Sequence, residues 1–148
     1  MAFELAEIAV GGGVLGLCPL PQAGDVAVLQ AWHPNLVLTL VERTEAAELS
    51  PDLCAALAGR GIAQRWFEIA DYSTPQADWG PLSVELNCIL RAGGRVVIHC
   101  RGGCGRTGMI ALRLMEEVGE VGALARLRAV RPCAVETEAQ MAWALQGR

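Results

Sequence analysis

The 148-residue sequence contains no lysine, and all twelve of its basic residues are arginine, which we attribute to compositional bias of the source genome. No apolar run approaches the roughly twenty residues that cross a bilayer, so membrane insertion is not expected. Glu4 and Glu7 stand where a secretory signal would be basic. The net charge of −4 also excludes nucleic-acid binding by general electrostatics. These absences predict a cytoplasmic protein.

Hydrophobic residues make up 53% of the chain, which is enough for one domain spanning residues 1–148 with a real core. Apolar runs of strand length alternate with segments of helical periodicity, which predicts an α/β fold whose central, mostly parallel sheet is flanked by helices. Strands are predicted at 3–10, 14–18, 36–41, 63–69 and 95–98. Helices are predicted at 25–32, 52–58, 81–91, 109–118, 121–130 and 136–145, with an acidic helical turn from Thr44.

The six cysteines show no Cys-x-x-Cys spacing, so a zinc site is not expected. A chain that is neither small nor visibly secreted favours reduced thiols over a disulfide framework. The four cysteines outside the motif described next are predicted to be small core residues. They are Cys18, Cys54, Cys88 and Cys133.

Residues 99–108 read His-Cys-Arg-Gly-Gly-Cys-Gly-Arg-Thr-Gly and follow directly on the predicted strand 95–98. Cys100 and Arg106 are six positions apart, and the glycines at 102, 103 and 105 can adopt positive φ angles that turn backbone N–H groups inward. The following helix directs its N-terminus at the loop. The segment therefore predicts a phosphate-binding loop. Its candidate binding residues are Arg101, Gly102, Gly103, Cys104, Gly105 and Arg106.

The pattern His-Cys-x-x-Gly-x-x-Arg-Thr-Gly resembles the signature of the cysteine-dependent protein tyrosine and dual-specificity phosphatases. The segments 36–42, 71–75 and 131–140 also fall in the order of that family, so the likeness covers most of the chain. The resemblance implies a protein tyrosine phosphatase-like fold of the dual-specificity type. It is closest to small single-domain members similar to the cyclin-dependent-kinase-associated phosphatase, which need neither metal nor cofactor.

A phosphatase of this kind needs an ionised nucleophile. The loop amides, the helix N-terminus, Arg106 and the Thr107 hydroxyl all favour a Cys100 thiolate at neutral pH. Attack on phosphorus would form a phosphocysteine, while Arg106 and the amides hold the equatorial oxygens. His99 is expected to act from behind the nucleophile, fixing the backbone of Cys100, or else to be an ordinary buried histidine.

A leaving alkoxide or phenoxide needs a proton from an acid on a nearby loop. Asp71 precedes Pro75 by four positions, an interval that resembles the acid loop of the family, and it is the favoured candidate. Asp78 is the competing residue, although it could cap the next helix. Where tyrosine-specific members carry Trp-Pro before the acid, this chain has Ile69 and Ala70.

Hydrolysis of the phosphocysteine needs a positioned water, which a glutamine holds in the tyrosine-specific members. Gln140 is the candidate here, and Glu136 occupies the place of another such glutamine. Glu136 could instead be a carboxylate near a helix N-terminus. Glu42 and Glu45 could order the guanidinium of Arg106 or be solvated acids.

The expected substrate is phosphotyrosine in proteins or peptides, with some phosphoserine and phosphothreonine. A phosphoinositide substrate is an alternative, although the loop offers only Arg101 as an extra cation. A non-catalytic module that binds phosphoproteins is the second alternative, and a rhodanese-type sulfur carrier is the third. An oxidised Cys100 could form a disulfide with Cys104.

Overall fold

The computed structural model describes residues 3–148 and has one five-stranded sheet in the order β1-β2-β5-β3-β4. Only the β1–β2 pair is antiparallel, so the predicted α/β fold with a mostly parallel sheet is confirmed. The strands are β1 (Ala6–Val10), β2 (Gly13–Cys18), β3 (Leu36–Thr39), β4 (Gln64–Trp66) and β5 (Arg95–His99).

Helices lie in every segment for which they were predicted, and the acidic turn predicted from Thr44 forms a helix of its own. They are α1 (Val26–Trp32), α2 (Arg43–Leu49), α3 (Leu53–Gly59), α4 (Gly80–Arg91), α5 (Gly105–Glu117), α6 (Ala123–Val130) and α7 (Glu138–Leu145). Helix α5 begins four residues earlier than predicted, because residues 105–108 of the motif form its first turn. Within residues 3–148, no helix combines the length and hydropathy needed to cross a membrane.

Strand β5 lies at the centre of the sheet, and its side chains alternate between two hydrophobic clusters. Val97 packs in the cluster formed with α1 and α3, while Val96 and Ile98 pack in the larger cluster formed with α4–α7. Both faces of β5 are therefore covered, which explains its unbroken apolar run. The chain emerges from the carboxyl end of this buried strand straight into the 99–108 motif.

The cysteine predictions require correction, because Cys104 and Cys133 form a disulfide with their Cα atoms 5.1 Å apart. The thiols of Cys54 and Cys88 are exposed, and only Cys18 is buried as predicted. Helical geometry explains the two exposed thiols. Cys88 lies midway between the buried Leu86 and Leu90 of α4, which share a face, so it is on the opposite side of that helix. Cys54 directly follows the buried Leu53 and is therefore turned about 100° away from it around α3.

Candidate active site

Cys100 directly follows β5 and opens a loop of residues 100–105, here called the cysteine loop, that runs into α5. Among the three loop glycines, only Gly103 has a positive φ, of 74°, so the expected positive angles at 102 and 105 are not found. A Cβ on Gly103 would lie 2.6 Å from the carbonyl group of Cys18. Gly105 is instead required for space, because a Cβ there would collide with the Glu136 carboxylate.

The cysteine loop borders a cavity of about 270 Å³ that brings together residues distant in sequence. Four of the predicted phosphate-binding residues line it, whereas Gly103 and Gly105 are buried behind its wall. The lining residues are Asp71, Tyr72, Cys100, Arg101, Gly102, Cys104, Arg106 and Glu136. The predicted nucleophile, arginine and acid therefore face one cavity.

Arg106 is 1% exposed, and both of its terminal nitrogens have protein partners. Nη1 donates to Glu45 Oε1 at 2.7 Å and to the Ile69 carbonyl at 2.9 Å. Nη2 donates to Glu45 Oε2 at 3.1 Å and lies 3.2 Å from Asp71 Oδ1. The two carboxylates and the carbonyl fix the plane of the guanidinium.

The sequence left open whether Glu42 or Glu45 contacts the guanidinium of Arg106. The structure shows that Glu45 does. Glu42 serves as the N-cap of α2, and its amide donates to Glu45 Oε1 at 3.2 Å. Burial opposes ionisation of Glu45, but the hydrogen bonds from Arg106 and from the Glu42 amide hold the pKa of Glu45 below its ordinary value. An ionised carboxylate therefore balances the buried guanidinium.

Two buried donors at the site have no hydrogen-bond partner within the described residues. They are Nε of Arg106 and Oγ1 of Thr107. Both belong to the first turn of α5, where the backbone N–H groups also lack intrahelical acceptors. Unpartnered buried donors are costly unless an acceptor completes them. The arrangement is therefore suited to an anion with several acceptor oxygens.

His99 is fully buried behind Cys100 and takes no part in the cavity wall. Its Nε2 lies 2.7 Å from Thr39 Oγ1, which also accepts a hydrogen bond from Gln64 Nε2. Its Nδ1 lies 3.3 Å from the Cys100 carbonyl. Desolvation by burial lowers the pKa of His99 to about 4. The network is satisfied when neutral His99 donates from Nδ1 and accepts at Nε2 from the Thr39 hydroxyl.

Asp71 and Asp78 are separated by the structure. Asp71 lines the cavity beside Arg106, whereas Asp78 accepts a hydrogen bond from the Gly80 amide at the start of α4. The side chain of Asp78 borders a different cavity, next to Trp66. Of the two aspartates, Asp71 is therefore the one that shares a cavity with Cys100.

Gln140 and Glu136 are also placed differently from each other. Gln140 is fully buried, its Oε1 accepts from the amides of Glu136 and Thr137, and its Nε2 donates to the Ser73 carbonyl at 3.2 Å. Its amide thus ties the start of α7 to the loop that carries Asp71, and it does not line the cavity. Glu136 does line it, whereas Thr137 is the N-cap of α7.

The disulfide with Cys104 that an oxidised Cys100 could form is not present, because Cys104 is bonded to Cys133. This leaves Cys100 as a free, buried thiol. No local pattern could identify the partner of Cys104, since 29 positions and two helices separate the bonded cysteines.

Two further residues at the site were not identified as functional from the sequence. Tyr72 borders the cavity with 62% exposure and adopts a φ of 60°, which is uncommon for an aromatic residue. Arg131 donates to the carbonyls of Gly102 and Gly103 from outside the loop. The sequence contained one signal for each residue. Tyr72 directly follows the candidate acid Asp71, and Arg131 precedes a proline in the segment shared with the family.

A sequence family described as "Polymorphic toxin system, DSP-PTPase phosphatase" matches residues 21–119, about two thirds of the chain. Among curated proteins, none matches the sequence significantly. Among solved structures, Tk-PTP in its active form is 26% identical, with a TM-score of 0.76, and the match covers 90% of this chain and 92% of that one.

Two further structures share the fold at lower identity. Kinase associated phosphatase (KAP) is 22% identical, with a TM-score of 0.84 over 97% of this chain and 93% of that one. PTPMT1 in complex with PI(5)P is 15% identical, with a TM-score of 0.78 over 96% of this chain and 94% of that one. The fold, the motif and the family match agree. The chain therefore belongs to the DSP-PTPase phosphatase family and is a cysteine-dependent dual-specificity protein phosphatase.

Proposed function

We propose that the enzyme removes phosphate from phosphotyrosine in proteins, and to a lesser extent from phosphoserine and phosphothreonine, through a phosphocysteine at Cys100. The Cys100 thiolate attacks phosphorus, the bond to the leaving oxygen breaks, and Asp71 gives that oxygen a proton. Nε of Arg106 and the loop amides bind the equatorial oxygens in the transition state. The Thr107 hydroxyl donates a hydrogen bond to the Cys100 sulfur and stabilises it as the thiolate that leaves phosphorus.

In the second step, water forms a bond to phosphorus as the sulfur–phosphorus bond breaks and its electron pair returns to Cys100. Asp71, now ionised, accepts the proton of that water. Gln140 contributes by position, since its amide holds the Ser73 carbonyl of the acid loop and the amide of Glu136. Glu136 lines the cavity in which that water reacts.

The single observation that carries this proposal is the buried, unpartnered Nε of Arg106, a residue that lines one cavity together with Cys100 and Asp71. A guanidinium whose Nη atoms are committed to Glu45 and the Ile69 carbonyl still has one donor for a ligand. A tetrahedral oxyanion presents several acceptors to such a site. Tyr72 at the rim adds an aromatic face beside which a phosphotyrosine ring can lie.

The test is phosphate release in EDTA from phosphotyrosine, phosphoserine and phosphothreonine peptides and from phosphoinositides, with the native protein and with Cys100→Ser. We expect release from phosphotyrosine peptides to be fastest and to vanish in Cys100→Ser. Faster release from phosphoinositides would contradict a protein substrate. Peptide binding without release by both proteins would instead identify a binding module.

We also propose a cytoplasmic location, supported by the free thiol of the proposed nucleophile Cys100, which a reducing compartment preserves. Cell fractionation tests this, and recovery of the protein outside the cytoplasm would contradict it. A reducing cytoplasm opposes the Cys104–Cys133 disulfide. In that compartment the bond would form under oxidising conditions and open when thiol reductants are restored.

A further inference from the structure

Every carbonyl of the segment 100–104 is held by a donor outside the cavity. The Cys100 carbonyl lies against His99 Nδ1, and the Arg101 carbonyl accepts from the Leu20 amide at 3.0 Å. The Cys104 carbonyl accepts from the Gly108 amide at 2.8 Å and from the Val135 amide at 3.3 Å. The remaining two carbonyls depend on a single side chain.

That side chain is Arg131, whose Nη2 donates to the Gly102 carbonyl at 2.7 Å and whose Nε donates to the Gly103 carbonyl at 2.9 Å. In a trans peptide the C=O and N–H point in opposite directions. Holding the carbonyls of Gly102 and Gly103 outward therefore directs the N–H groups of Gly103 and Cys104 toward the opposite side, where the cavity lies. Within the described residues, neither of these N–H groups donates to another protein group.

The segment that carries Arg131 is itself fixed to the loop. Two residues after Arg131, Cys133 is bonded to Cys104 of the cysteine loop. The Arg131 amide is held by the Leu127 carbonyl of α6 at 2.8 Å. Arg128 of the same helix donates to the carbonyls that follow Cys133. One arginine fork and one covalent bond thus join residues 131–133 to the back of the loop.

The segment 131–133 is therefore placed to control the phosphate affinity of the loop, because among residues 3–148 the carbonyls of Gly102 and Gly103 have no other N–H donor than Arg131. Glycine at 102 and 103 leaves the two peptides free to rotate once their carbonyls lose a donor. Rotation of either peptide would turn a carbonyl oxygen toward a bound phosphate and replace attraction with repulsion. Two groups of segment 131–133 supply this restraint, the guanidinium of Arg131 and the sulfur of Cys133.

We propose that Arg131 is a positioning residue of the phosphatase and that, with the Cys104–Cys133 disulfide, it braces the cysteine loop in its anion-binding conformation. This rests on the proposed function, since it concerns phosphate binding by the same loop. Opening the disulfide consumes two electrons and two protons from a dithiol, which closes into its own disulfide, and yields two thiols. The reduced enzyme keeps the arginine fork but loses the covalent half of the brace.

The experiment measures oxyanion affinity without turnover, by calorimetric titration of tungstate into the full chain carrying Cys100→Ser. In that background, Arg131→Gln removes the fork and Arg131→Lys keeps the charge without it. Arg126→Gln is the matched control, because Arg126 lies on α6 but bonds Glu120 and the Ala9 carbonyl, away from the loop. Unfolding temperatures are measured in parallel, and Arg131→Lys carries the test if Arg131→Gln does not fold.

We expect Arg131→Gln to weaken tungstate binding roughly 10- to 100-fold, with Arg131→Lys intermediate, because bonds to charged groups of this kind contribute that much. Arg126→Gln should bind as the parent does. In the protein with Cys100 intact, Arg131→Lys should raise KM and lower kcat while its unfolding temperature stays near that of the control. Affinity in Arg131→Gln equal to that in the control would overturn the positioning role.

The disulfide is tested in the same protein, the full chain carrying Cys100→Ser, here called the parent. We expect dithiothreitol to weaken tungstate binding to the parent several-fold. Adding Cys133→Ser should weaken binding to the same extent, whether or not reductant is present. Equal affinity in the oxidised and reduced parent would overturn the assignment of the disulfide to the brace. Failure of the parent to bind tungstate at all would contradict the proposed function itself, and the brace with it. The two failures are thus distinguishable.

Discussion

Lowering the pH from 7.5 to 5.0 should destabilise the protein through His99. The folded state holds this side chain neutral, with a pKa of about 4, whereas the unfolded chain titrates it near 6.5. Between pH 6.5 and pH 4 the unfolded state therefore binds a proton that the folded state does not, and stability falls as the pH falls. The difference amounts to about 2 kcal/mol at pH 5.0 and approaches about 3 kcal/mol below pH 4.

The assay is urea unfolding at pH 7.5 and at pH 5.0 for the native protein, His99→Gln and His33→Gln. The sequence contains only these two histidines, so few other side chains titrate in this interval. His99→Gln keeps an amide that can reach the Thr39 hydroxyl and should lose the pH-dependent part of the destabilisation, whatever its stability at pH 7.5. His33 is exposed, and His33→Gln should behave as the native protein does.

An equal pH-dependent loss in the native protein and in His99→Gln would refute the reasoning, since the proton would then bind elsewhere. A loss well below 1 kcal/mol in the native protein would also refute it. That result would mean that the folded state accepts the proton at His99 with little penalty, despite its burial.

Three further predictions concern the acid, the ion pair and the core. Asp71→Asn should lower kcat about 100-fold for substrates with poor leaving groups and much less for good ones, while Asp78→Asn stays within about twofold; steady-state rates over a series of aryl phosphates measure this. Glu45→Ala removes the main partner of the buried Arg106 guanidinium, so it should lower the free energy of unfolding in urea by about 3 kcal/mol and weaken phosphate binding. Glu42→Ala removes only a helix cap and should lower the free energy of unfolding by about 1 kcal/mol. Leu112→Ala, at a fully buried position of α5, should cost about 2–5 kcal/mol with an unchanged KM.

Much of the fold could be predicted because local patterns carried it. The unbroken apolar run before Cys100 predicted a doubly covered strand, and β5 is the central strand of the sheet. The strand predicted at 63–69 is correct in place but too long. Within this segment, only Gln64–Trp66 form ladder pairs with β3. The chain then follows the end of β3 through single backbone hydrogen bonds from the amides of Phe67 and Ile69. Alternating apolar residues indicate which side chains are buried, but they do not show where hydrogen-bonded pairing with the neighbouring strand ends.

The sequence alone determined the nature of the chemistry, because a cysteine, glycines and an arginine at short spacing form one local strand-loop-helix unit. It also ranked Asp71 over Asp78 by an interval within one loop. The tertiary structure decided every choice that depends on residues far apart in the chain. Glu45 rather than Glu42 pairs with Arg106, Glu136 rather than Gln140 borders the cavity, and Cys104 meets Cys133. Such contacts depend on how helices pack across the sheet, and no local pattern records them.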